Sequence, residues 1–369
     1  MLGERIKAAR KAAGLSLRAL SQEVGVSPQT LSLYERSLST PNGTMLLGLA
    51  RALGVKVDFF FRPSQLTLAR PAYRKRSTLP RKQEDAIMAQ IQDWLERYRE
   101  VEALFPTGAT RPFSAPENVE RHAASAEDIE HLTQELRESW GLGLAPIEDL
   151  TALLEDQGVR IGLVDGHDKF DACTFTLDHR VPIIVAKRGL PGDRQRMSIA
   201  HELGHFIMEM DDEEAAFRFA KAFLVPEQVA RFELGTDRRT LDLCELYILK
   251  HKYGLSMQGW IYRARELGIL SGSAVKELFQ RFRARGWHRE EPGDPYPREL
   301  PMRMMRLVHR ALAEDLISES RAAELLSTSL RVLSITDAQQ PGKPVAPFSL
   351  EEQAPCRLLS HHVSSIVAL

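Results

Sequence analysis

The sequence predicts a multidomain chain: an all-α domain of five short helices at the amino end, an α+β domain with a small sheet, and an α-helical carboxy-terminal extension. Three observations carry this. The chain has 369 residues and 43% hydrophobic content, too long for one average domain and apolar enough for two or three cores. Residues 4–61 show helical periodicity punctuated by Gly14, Gly25, Gly43 and Gly54. From residue 126 the order becomes helix, helix, three short strand-like runs and a long helix, as in an α+β domain.

Charge separates the same regions. The formal net charge is −1, but residues 1–82 carry 15 Lys or Arg against 4 acids, and the remainder carries 34 against 46. A basic segment on an acidic body is the pattern of a nucleic-acid-binding module attached to something else; a solvated basic face is the bland alternative, so charge needs help from pattern. Cys173, Cys244 and Cys356 are far apart and odd in number, which excludes a disulfide framework and a cysteine-based zinc site. No apolar run approaches the roughly 18 residues of a membrane span, and the first residues form a charged amphipathic pattern rather than a secretory signal. The expectation is a cytoplasmic chain without a membrane partner.

In the amino-terminal domain, 1–63, apolar positions from Ile6 through Leu20, Leu31, Leu49 and Val55 supply a core. The stretch LRALSQEVGVSPQTLSLYE, Leu17 to Glu35, reads as helix, a turn at Gly25, then a helix opened by Ser27 and Pro28, with Ser16 and Ser27 as N-caps. That is helix-turn-helix spacing. The run ERIKAARKAAGLSLRALSQEVGVSPQTLSLYE closely resembles the XRE, or Cro/C1-type, repressor family across residues 1–61. The resemblance implies binding of double-stranded DNA, with the second helix in the major groove and Gln29, Thr30, Ser32 and Leu33 facing base edges. It places Arg18, Gln22 and Arg36 on phosphates, and implies a homodimer on two half-sites.

Residues 64–125 read as a basic linker with a connecting helix. Arg62 to Lys82 adds cations with no acid, a tether; IMAQIQDWLERYREVEAL restores helical spacing before Pro106, Pro112 and Pro116 end it.

The domain predicted over 126–290 contains helices Asp128–Trp140 and Ile147–Gln157, strands GVRIGLV, DACTFTL and PIIVA, and a long helix expected to pack on the sheet. That helix carries MSIAHELGHFIM. His201 and His205, four apart, share a helix face and can present two imidazoles to one ion, while Glu202 sits one step round, positioned to work on a bound water. A catalytic site needs a third protein ligand and an open position. Local candidates are Glu209, Asp211, Asp212, Glu213 and Glu214. In the next helix Glu213, Phe217, Ala220 and Leu224 share what reads as the inward face, and Glu214, Arg218 and Lys221 an opposing polar stripe, which selects Glu213.

RQRMSIAHELGHFIM followed by E-x-x-A-x-x-F-A-x-x-x-L-x-P resembles the ImmA/IrrE metallopeptidases over residues 126–270. The resemblance implies a zincin-like fold, one Zn2+ held by His201, His205 and Glu213, and metal-assisted hydrolysis of a peptide bond with Glu202 as proton acceptor. Two features depart from the family: Phe217 stands where Asn is frequent, and only seven residues separate His205 from Glu213. A His, His, Glu set is also compatible with Mn2+ or another divalent ion. Tyr247, His251 and Tyr262 are candidate oxyanion donors that the sequence leaves unassigned.

Tyr253-Gly254-Leu255-Ser256 has the spacing of a second helix-turn-helix turn. Residues 291–333 read as two amphipathic helices beyond a proline-rich break, and 334–369 as a flexible tail in which His361 and His362 are weak metal candidates. The functional expectation is a DNA-binding regulator with zinc-dependent endopeptidase activity on a repressor or other regulatory protein in a stress or mobile-element response. The alternative is a non-proteolytic transcription factor whose metal domain senses a ligand or binds a partner.

Overall fold

The computed structural model describes residues 2–61, 79–105, 113, 125–177, 181–328, 330 and 333. The tether, most of the proline-rich stretch after residue 105, and the tail with His361, His362 and Cys356 lie outside the described residues. The chain forms two compact units, one drawn from residues 1–111, 159–188 and 302–326 and the other from 112–158, 189–301 and 327–369.

The first unit begins with α1 (Leu2–Ala12), α2 (Leu17–Val24), α3 (Pro28–Glu35) and α4 (Gly43–Leu53), followed by a 3-10 turn at Val57–Phe61. The five expected helices are thus four α-helices and one tighter turn. Ile6, Leu20, Leu31, Leu49 and Phe60 are fully buried, each side chain contributing roughly 1.5–3 kcal/mol on leaving water. Ser16, Ser27 and Asn42 each accept a backbone N–H in the following first turn, and Gly25 and Gly54 close α2 and α4 in the left-handed region, where a Cβ is costly.

The expected connecting helix is α5 (Arg81–Ala103), and it is an integral part of this unit. Arg5 and Lys11 of α1 pair with its Glu96 and Asp85, the latter at 3.0 Å. Its Ile87, Ile91 and Leu95 pack against the sheet residues Val164, Phe175, Ile183 and Val185. The sheet has order β1-β3-β2, with β1 (Arg160–Val164) parallel and β2 (Ala172–Leu177) antiparallel to β3 (Val181–Lys187). A Cβ at Gly162 would meet the Trp94 ring at 2.9 Å, so the glycine lets α5 approach β1.

In the second unit, α6 (Ala126–Ser139), α7 (Leu150–Asp156), α8 (Gly192–Met208) and α9 (Glu213–Leu224) assemble around charged side chains buried with partners. Arg137 donates to the carbonyls of Gly143, Ala145 and Phe223, tying α6 to the end of α9. Arg196 of α8 pairs with Glu299, whose carboxylate also accepts from the Thr151 backbone N–H and hydroxyl. The unit continues through α10 (Glu227–Leu234), α11 (Leu243–Tyr253), α12 (Met257–Glu266) and α13 (Gly272–Ala284). The two helices expected after the proline-rich break are α14 (Arg303–Ala313) and α15 (Glu319–Leu325). They belong to the first unit, where Arg97 of α5 donates to the Leu325 carbonyl and Arg321 pairs with Glu100.

Candidate metal centre

His201, Glu202 and His205 lie in the last half of α8, a 17-residue helix. The Nε2 atoms of His201 and His205 are 3.0 Å apart. Glu213, the first residue of α9, brings one carboxylate oxygen to 3.2 Å from His201 Nε2 and the other to 3.7 Å from His205 Nε2. One donor atom from each residue lies within 4.8 Å of the other two. Among the described residues this is the single group of three or more His, Cys, Asp or Glu side chains so arranged. Of the five acidic candidates, the structure brings Glu213 to the histidines. Asp212 serves instead as N-cap of α9, accepting from the Glu214 and Ala215 N–H groups, and Glu209, Asp211 and Glu214 are exposed.

The hairpin is as tight as its seven-residue spacing demands. Glu209 ends α8 at φ 52°, a left-handed conformation that a non-glycine residue adopts at some cost, and after three further residues α9 begins. The Met210 carbonyl then lies 2.9 Å from His205 Nδ1. Nδ1–H donating to that carbonyl fixes the tautomer and leaves Nε2 as a lone pair, the second partner expected of a metal-binding imidazole. Gly204 completes the hairpin: a Cβ there would sit 2.8 Å from the Phe219 ring, so a side chain would push α9 and Glu213 away.

His205 is 2% exposed and His201 10%, whereas the Glu213 side chain is 39% exposed. Burial, then the charges of His205 and Lys221, push the His201 imidazole down to about 3, so it is neutral near pH 7. Two imidazoles converging on a carboxylate form a donor set for one divalent cation. A tetrahedral zinc with nitrogens at about 2.0–2.1 Å sets them roughly 3.3 Å apart, close to the spacing found. The residues fit the ion.

The expected faces of α9 are corrected. Its buried face is Ala216, Phe219, Ala220, Phe223 and Leu224; Phe217 is 47% exposed and Lys221 is buried. Lys221 pairs with Glu266 at 2.7 Å, and burial lowers its pKa. The amphipathic reading assumed that a lysine marks solvent, but an acid from α12 meets this one. Glu213 and Phe217, four residues apart, share the face toward the histidines, and the Phe217 ring lies 4.2 Å from the His201 ring. Phe217 therefore forms an aromatic wall of the site. The four-residue spacing from Glu213 was the available signal. Phe113 packs edge-on against Phe206 of α8 at 5.0 Å, a contact with no sequence signature. Within α11 the Tyr247 and His251 rings pack at 4.4 Å with their planes tilted by 45°, and Tyr262 packs on Phe279 of α13.

In the first unit, Gln29, Arg18, Gln22 and Arg36 are exposed, and Ser32 and Leu33 partly so. The Thr30 hydroxyl is 2.8 Å from the Ser27 hydroxyl, so it reinforces the helix cap while remaining partly exposed. Arg10 of α1 grips Glu35 with two bonds, at 2.5 and 2.9 Å, and holds α3 against the domain.

Residues 6–60 match the helix-turn-helix family model, and residues 155–265 match the peptidase-family model described as the IrrE N-terminal-like domain. The chain is a fusion of an XRE-type helix-turn-helix with an ImmA/IrrE-like domain. The fusion is also similar to Repressor protein C2 of Salmonella phage P22, at 40% identity over 76 residues, 21% of the chain and 35% of that repressor. A second relative is an uncharacterized transcriptional regulator in the ATPase CF(0) region of Rhodospirillum rubrum, 35% identical over 60 residues, 16% of the chain and 56% of the relative. The fusion thus spans about a third and a little over half of the length of these curated relatives. Among its described residues, no helix is long and apolar enough to cross a membrane.

Proposed function

We propose that this fusion is a cytoplasmic DNA-binding regulator that hydrolyses a peptide bond in another protein, a repressor or similar regulatory protein of a stress or mobile-element response. The observation that carries the reading is the meeting of His201, His205 and Glu213 at one point, with Glu202 beside them on α8. Residues 1–63 read double-stranded DNA as a homodimer, and 126–290 carry the chemistry. Gln29, Thr30, Ser32 and Leu33 face bases, and Arg18, Gln22 and Arg36 face phosphates.

His201, His205 and Glu213 would hold one zinc ion, or manganese in its place. Bound there, the ion supplies Lewis acidity toward water and toward a substrate carbonyl oxygen. Glu202 accepts the proton of the attacking water and returns it to the leaving amine. The Met210 carbonyl keeps His205 in the tautomer that presents Nε2. The partly exposed Glu213 and Phe217 leave the α9 side of the centre open to an extended peptide, and the Phe217 ring offers it an apolar wall.

The test is cleavage of candidate repressors encoded beside this gene by metal-loaded wild type and by Glu202→Gln. Cutting by the wild type alone supports the peptidase reading. Equal metal content in both, no cutting of any neighbour, and intact operator binding would overturn it in favour of a ligand-sensing transcription factor.

A further inference from the structure

Away from the metal centre, α12 and α13 enclose a half-open hollow with a cavity volume of about 310 Å³, at the small end of the range for small-molecule sites. Its wall is aromatic. The Tyr262 ring lies 4.8 Å from the Phe279 ring, and Tyr262 is 46% exposed. Arg265 enters from α12, and Lys276, Gln280 and Arg283 join Phe279 on one face of α13 through their spacing of three, four and seven residues. No carboxylate occurs among the described lining residues.

These cations differ from others in the same unit. Arg196, Lys221, Lys250 and Arg263 are neutralised by Glu299, Glu266, Glu291 and Glu130. Among the described residues, Arg265, Lys276 and Arg283 have no ion-pair partner. Residues 257–289 carry seven Lys or Arg against two acids, although residues 83–369 as a whole are acidic by 34 against 46. A solvated basic face accounts for the charge, but not for two packed aromatic rings at the floor of a hollow.

The α11–Gly254–α12 corner has the form of a second helix-turn-helix, with Gly254 at φ 67°. Duplex DNA is nevertheless a poor ligand for its second helix. Glu291 sits over the amino end of α12, accepting the Met257 and Gln258 N–H groups at 3.0 and 2.9 Å, and a carboxylate there repels phosphate. The unpartnered positive charge lies instead around the aromatic hollow.

We propose that the hollow between α12 and α13 binds a nucleoside phosphate. The base stacks on Tyr262 and Phe279, Gln280 bonds its edge, and Arg265, Lys276 and Arg283 hold the phosphates. The proposal is independent of the peptidase reading, because it uses none of the metal-centre residues.

The test is calorimetric titration of the full chain with ATP, GTP, inorganic triphosphate and a short single-stranded oligonucleotide. At least one nucleotide binds saturably with one site per chain. Lys276→Ala and Arg283→Ala each weaken it about tenfold, as loss of a charge-assisted bond implies. Tyr262→Ala and Phe279→Ala weaken the nucleotide by about 5- to 100-fold through lost stacking, and leave triphosphate nearly unchanged. The two aromatic variants check each other, since Tyr262 is the more exposed. Absence of saturable nucleotide binding overturns the proposal, as do affinities equal across all variants. Triphosphate binding as tightly as the nucleotides reduces the site to an anion patch, and an oligonucleotide saturating the hollow where nucleotides fail makes it a nucleic-acid surface; either result also overturns it.

Discussion

The α2–α3 pair and the α8–α9 pair are both helices joined by a short turn, but they use their polar residues in opposite ways. In α2–α3 the core is apolar, the caps are Ser16 and Ser27, Arg10 holds α3 through Glu35, and the residues expected to read DNA lie on the exposed or partly exposed surface. In α8–α9 the working groups point inward: His201 and His205 are buried, and Gly204, Glu209 and the Met210 carbonyl exist in their geometry to bring Glu213 to them. A reading surface tolerates change one residue at a time. A buried donor set stands or falls as a unit.

The sharpest break in that comparison is His205→Ala. It removes one of two nitrogen donors and the Met210 bond, so metal content falls from about one ion per chain toward zero, and peptide hydrolysis drops below detection while operator binding stays within twofold. Metal analysis and gel-shift titration on the same preparation check this. Operator binding lost together with the metal would show that the two helix pairs are not independent.

Glu202→Gln comes next. It keeps the metal and lowers the cleavage rate by about 10²- to 10⁴-fold, the usual worth of a positioned proton acceptor. A rate within tenfold of wild type in a single-turnover assay would remove Glu202 from the chemistry.

Gly204→Ala tests the hairpin itself. Overpacking against Phe219 costs about 1–3 kcal/mol, read as a lowered urea midpoint, and metal affinity falls with it as Glu213 moves off the histidines. An unchanged midpoint and affinity would show that α9 is free to shift.

On the reading helix the effects are smaller and separable. Gln29→Ala weakens the preferred operator by about 1–3 kcal/mol and relaxes specificity at one base, whereas Arg36→Ala weakens all sequences alike and lowers the salt slope by about one. Ser27→Ala gives the smallest effect, about 1 kcal/mol of stability from the lost cap to Thr30, checked by thermal unfolding.

Much of this was legible in the sequence because the signals are local. Caps, left-handed glycines and apolar spacing fix α1–α4, and His201, Glu202 and His205 lie within five residues of one helix. Glu213 was legible for a less secure reason: it was selected as the acid on the inward face, yet the face it occupies is the one toward the metal centre, and Phe217 beside it is exposed. The true core stripe of α9 includes Ala216 and Phe219, and the buried Lys221 is decided by Glu266, 45 positions away in sequence. No helical periodicity reports a partner that distant.

By itself, then, the sequence determined the capped helices of the DNA-reading domain, the helix bearing His201, Glu202 and His205, and the strands. All depend on hydrogen bonds and side-chain faces set within a few residues. Only tertiary structure decided that α5 belongs with the amino-terminal helices and the sheet, that Lys221 is buried while Phe217 faces the metal centre, and that the hollow between α12 and α13 combines unpartnered cations with an aromatic wall. Those outcomes depend on which distant side chain fills a space or neutralises a charge, and that is settled only when the helices pack.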